Sequence, residues 1–192
     1  MAQPQATTRQ FWSGMLALAV TLLALLGGLA LRARVRADLV RYEDPVAGIA
    51  AMRPTTWLVD SQGDYVFRVQ DPAARSFKTT LQVAVMTIGP DATGRNVLDI
   101  LTMNRSSMLS GYSVLAVNDP VATPHGPAAE MRYAYVELDP NPFLTTLPTV
   151  VMGVDVVYRK GDQAIIATYL ASTDSFDGQY FRFEQFLRSL EF

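Results

Sequence analysis

From Phe11 to Leu31 the chain carries no charged side chain, and Arg32, Arg34 and Arg36 follow at once. A helix rising 1.5 Å per residue would carry that run roughly 31 Å, close to a hydrocarbon core of about 30 Å. The run is longer than the apolar region of a secretory signal, and it ends in arginines rather than at a small-residue cleavage site. The pattern therefore predicts an uncleaved transmembrane helix over 11–31, preceded by a tail over 1–10. Within it, Ala24 and Gly28 form a small-x-x-x-small pair suited to close helix packing. Residues 32–52 read as a juxtamembrane stalk, with Pro45 and Gly48 interrupting any long helix. The arginine excess on this flank, with Arg32, Arg34 and Arg36 as topology or headgroup contacts, predicts a cytoplasmic location for the rest. The extracytoplasmic side is the alternative, because many bacterial single-pass proteins with a short N-terminal tail hold their domain outside.

Beyond Arg53 the period of the apolar positions falls to two, the signature of half-buried strands. Residues 56–71 read as two strands around Gln62-Gly63-Asp64. Residues 79–88 read as a longer one with Leu81, Val83 and Val85 on one face. From Gly94 to Leu109 the period becomes helical: Val97, Leu98, Leu101 and Met108 recur at helix spacing, with Asp99, Asn104 and Arg105 opposite. Strands follow over 113–119, 128–139 and 147–160, the last turning at Lys160-Gly161-Asp162 into 163–173 as a hairpin. The closing segment 177–192 predicts a helix capped by Asp177, burying Phe183, Phe186, Leu187 and Leu190. Strand neighbours joined by short turns, with a helix after the third strand and another at the end, predict one α+β domain over 53–192. Its antiparallel sheet would be covered by helices in α/β/α layers.

Composition narrows the function. The chain of 192 residues has no Cys and one His, which removes thiol catalysis, iron–sulfur ligation and a histidine pair for zinc or haem. Beyond Arg41, eleven basic residues face seventeen acidic ones. The resulting net charge of −6 makes nucleic acid a poor partner. Neither a phosphate-binding Gly-Lys-Ser/Thr loop nor a Gly-x-Ser-x-Gly elbow is present. No cofactor is expected.

The remaining candidates are few. His125, between Pro124 and Gly126, reads as a solvated loop residue or a pH-sensitive contact. Glu137 and Asp139 share a strand face, as a polar strand end or an acid/base pair. Asp155 interrupts an apolar strand, as an outward residue or a buried contact for Arg132 or Arg159. Tyr133, Tyr135, Tyr158 and Tyr169 read as core or as an aromatic anchor. The proline-stiffened Pro142, Phe143 and Leu144 offer apolar groups to a partner.

Three segments carry a family resemblance: Arg53-Pro54-Thr55-Thr56-Trp57, the strand Phe77 to Ile88, and the closing hairpin and aromatic-rich helix of 161–192. In these the chain resembles the PsbP/Mog1-like fold family. The resemblance implies an antiparallel sheet between helices and a non-enzymatic helper of a larger assembly, photosystem subunits being among the family's members. The expectation that follows is a non-catalytic, single-pass accessory subunit of a respiratory or photosynthetic electron-transfer complex. Its partners would be other membrane-protein subunits and the lipid bilayer. A tethered sensor or small-ligand-binding domain is the alternative.

Overall fold

The computed structural model describes residues 8–74, 76–138 and 147–192, and within the first helix the side chains of 14–29. Helix α1 (Thr8–Ala37) belongs to one unit of the chain, and the compact domain from Val40 to Phe192 forms another.

The expected transmembrane helix is corrected here. Among the described residues, no helix is long and apolar enough to cross a membrane. Ala24 and Gly28 are exposed on α1, and a Cβ built on Gly28 would meet nothing within 4 Å. The side chains of Arg32, Arg34 and Arg36 lie outside the described residues.

Residues expected as a stalk are instead structured. Strands β1 (Leu39–Asp44) and β2 (Ile49–Pro54) pair as a two-stranded sheet, turned by Gly48 at φ +64°, a conformation that favours glycine. Ile49, Ala50 and Ala51 are buried, and Ala50 exchanges backbone hydrogen bonds with Glu191 at 2.8 and 3.0 Å.

The remaining strands are β3 (Leu58–Asp60), β4 (Phe67–Gln70), β5 (Thr80–Thr87), β6 (Ser110–Thr123), β7 (Gly126–Glu137), β8 (Thr149–Lys160) and β9 (Gln163–Ser172). They build one antiparallel sheet in the order β3-β4-β5-β9-β8-β7-β6. Alternation along each strand serves two cores. Phe67, Leu81, Val83, Val154, Val156 and Tyr169 face helix α3 (Thr173–Ser189), which supplies Phe176, Phe183, Phe186 and Leu187. Met131, Tyr133, Tyr135, Val151, Val157 and Ile166 face helix α2 (Gly94–Met108), which supplies Val97 and Leu98. Buried apolar area on both faces is the main stabilising term, worth about 25 cal/mol per Å². The domain is thus a mixed α/β arrangement with one helix on each face of an antiparallel sheet.

The two helices of the domain start for different reasons. Thr93 and Asn96 form a capping box: the Thr93 hydroxyl accepts from the Asn96 N–H at 3.3 Å, and Asn96 Oδ1 accepts from the Thr93 N–H at 2.8 Å. Helix α3 begins at Thr173, not at the expected Asp177. Phe176 is buried in the first turn, and its carbonyl accepts from the Tyr169 hydroxyl at 2.8 Å, so packing pulls the helix start four residues back.

Candidate functional site

Beneath α2, the acid that interrupts β8 is fully buried. Asp155 receives the guanidinium of Arg105 in a bidentate pair, Arg105 Nη2 to Oδ1 at 3.1 Å and Nη1 to Oδ2, while the Thr168 hydroxyl donates to Oδ1 at 2.7 Å. Its partner is therefore neither Arg132 nor Arg159. Arg132 instead pairs with Glu130 at 3.2 Å, and Arg159 donates to the carbonyls of Pro90 and Gly161. Arg105 was expected on the outer face of α2. It stands four residues after Leu101 and seven after Leu98, which places it on the inward stripe.

Tyr133 completes this cluster. The Arg105 guanidinium lies 4.5 Å from its ring centroid, within cation–π range. Gly153 makes room for the ring, since a Cβ there would come 2.3 Å from Tyr133 Cζ. Burial, and then the Asp155 carboxylate, hold the Tyr133 phenol well above its ordinary value. Burial disfavours the Arg105 charge, but Asp155 outweighs it and holds Arg105 above its usual range. Both groups keep their protons at neutral pH, so the cluster is a fixed ion pair that holds α2 to the sheet rather than a proton-transfer device.

The outer side of α2 mixes polar and apolar side chains: Asp99, Asn104, Ser106 and Ser107 are exposed there, and Arg95 pairs with Asp99. Ile100 is 43% exposed, Met103 72% and Met108 79%. Beside α2 runs β6, the edge strand of the sheet. It exposes Leu115 and Val114, the latter in register with Tyr133 on the α2 side. Helix α3 differs: its large exposed apolar side chain is Phe181, over which the Arg182 guanidinium lies at 5.3 Å.

A second feature is a cleft of about 400 Å³, lined by both polar and apolar side chains, where residues 71–74 and 76–79 meet the start of α3. Asp71, Phe77 and Thr79 line one side, and Ser172, Asp174, Ser175 and Gln179 the other. Sequence reading did not find it, because its two walls lie a hundred residues apart and meet only through the β5–β9 pairing.

The other expected site residues separate. The four tyrosines do not form one cluster: Tyr133 and Tyr135 face α2, while Tyr158 and Tyr169 face α3. His125 is not merely a solvated loop residue. Its Nε2 lies 2.7 Å from the Leu187 carbonyl, and its ring packs on Tyr158 and Phe192 at 5.8 and 5.5 Å. Glu137 is an exposed strand end. Its companion Asp139, and the interface candidates Pro142, Phe143 and Leu144, lie outside the described residues. Among the described residues no group of three or more acids or histidines is placed to hold a metal ion.

No protein-family model matches the chain, and no curated protein matches it in sequence. Among solved structures it is similar to cyanobacterial PsbP (CyanoP) from Synechocystis sp. PCC 6803. That match has 15% identity and a TM-score of 0.57, over 81% of this chain and 92% of that one. It is also similar to LpqN of Mycobacterium tuberculosis, a protein involved in cell envelope biogenesis. There the identity is 13% and the TM-score 0.52, over 80% of this chain and 89% of that one. These likenesses bear out the PsbP-like fold and, at such identities, concern the fold alone.

Proposed function

We propose that the chain is a non-catalytic accessory subunit that docks on a larger assembly through the α2 side of its sheet. The observation that carries this reading is the exposed apolar set Ile100, Met103 and Met108, flanked by Val114 and Leu115 of the edge strand. Methionine is enriched in protein interfaces, so side chains this exposed beside an edge strand suit a protein contact. Methionine also adapts its shape to a partner. The occupant that suits this face is another protein subunit presenting apolar side chains. An electron-transfer complex is the host that the family resemblance implies.

The test is capture of the tagged full chain from its native cells in mild detergent. A defined set of co-purifying chains is expected with the native sequence, and loss of that set with Met103→Asp and Met108→Asp combined. A monomer with either sequence contradicts the reading.

The cleft at the start of α3 favours a second reading, a small-ligand-binding domain. At about 400 Å³ it falls within the roughly 300–1,000 Å³ of ligand sites.

A further inference from the structure

We propose that Met103 and Met108 of α2 form a reversible oxidation site, and that their conversion to sulfoxides by hydrogen peroxide releases the protein partner from the α2 side. This rests on the docking reading above and adds its regulation.

The chain has eight methionines, and burial sorts them. Met131 is fully buried, and its Sδ accepts from the Thr102 hydroxyl at 3.2 Å. Met52, Met86 and Met152 are half-buried. Met86 packs against the α2 core and Met152 against the α3 core. Met103 and Met108 are the most exposed methionines among the described residues, ahead of Met15 on α1. A peroxide must reach a sulfur lone pair to react, so these two sulfurs of the domain meet it first.

The step balances with peroxide alone. The thioether sulfur attacks one peroxide oxygen, the O–O bond breaks and an S–O bond forms. The proton of the transferred oxygen passes to the departing hydroxide, which leaves as water. Sulfur loses two electrons and the peroxide gains them. A thiol-dependent sulfoxide reductase reverses the change, with two thiols going to a disulfide and the oxygen leaving as water.

The placement makes this chemistry silent for the fold. Neither side chain belongs to either core cluster, so a sulfoxide at 103 or 108 stays in water and displaces no packed group. The docked state differs. A sulfoxide turns a flexible apolar side chain into a polar one, and an apolar partner offers its oxygen no donor. Each buried, unpaired oxygen is expected to weaken the contact about tenfold or more. Oxidation at Met131 would have the opposite pattern, since its sulfur sits among Val97, Leu98 and Tyr133 in the α2 core.

The test uses the purified full chain, partly oxidised with hydrogen peroxide and quenched with catalase. Peptide mass spectrometry is expected to find oxygen at 103 and 108 before 131, with the unfolding temperature unchanged at that stage. The same sample is then mixed with native extract in mild detergent, and complexed and free chain are separated by size and mapped. Sulfoxides at 103 and 108 should be depleted at least tenfold from the complexed fraction, while the Met15 sulfoxide divides evenly. Sulfoxide reductase with dithiothreitol should return the free fraction to the complex. Oxidation of Met131 as early as 103 and 108, or their sulfoxides divided evenly between the fractions, would overturn the proposal and leave the docking reading standing. A skew at Met15 alone would do the same. Untreated chain that enters no complex would remove the docking reading, and this regulation with it.

Discussion

Asp155 shows how a single residue reports on packing that the sequence does not display. A lone acid between Val154 and Val156 is visible at once, and a buried acid must find a cation or hydrogen bonds. The identity of its cation was hidden, because a polar residue on an amphipathic helix is by default read as outward. The spacing Leu98, Leu101, Arg105 held the signal. Removing one partner of a buried pair strands the other. Asp155→Ala is therefore expected to cost about 3 kcal/mol in urea unfolding. The double change Arg105→Met with Asp155→Leu should recover most of that loss, because an apolar pair of similar bulk needs no desolvation. A double variant no more stable than the single one would mean that the pair itself, and not the stranded charge, supplies the stability.

At the scale of elements, strongly patterned segments were legible. Strands β5, β7, β8 and β9 and helix α2 lie within a few residues of their expected limits, because their apolar periods are long and uninterrupted. The misreadings share one cause. Residues 38–54 lack a clean period, and their strands exist because Ile49 and Ala51 join the α3 core and Tyr42 packs against it. Residues 173–176 look like a polar loop, and Phe176 alone draws them into α3. Tertiary burial outvoted local pattern in both. Helix α2 is the opposite case, started by its own sequence. Thr93→Ala removes the hydroxyl that accepts from the Asn96 N–H and is expected to lower stability by about 1 kcal/mol. That loss should appear as a lower urea midpoint with an unchanged slope. An unshifted midpoint would show that the sheet alone holds the helix start.

For the molecule as a whole, neighbouring strands joined by short turns were readable, but the β5–β9 pairing that closes the sheet was not. It joins segments about eighty residues apart, and nothing local specifies it. That pairing creates the cleft at the start of α3, and the Arg105 anchor decides which side of α2 meets solvent. Both candidate sites are therefore consequences of topology rather than of motif. The acid-rich charge of the domain is consistent with either occupant.

The central claim is that the α2 side is the docking face. The most direct measurement places a photo-crosslinking amino acid at position 103, and in a separate sample at Glu184 on the outer side of α3, in the native cell. A discrete adduct with one partner from position 103 and none from 184 is the predicted result. Equal adducts from both positions, or adducts from 184 alone, would contradict the account.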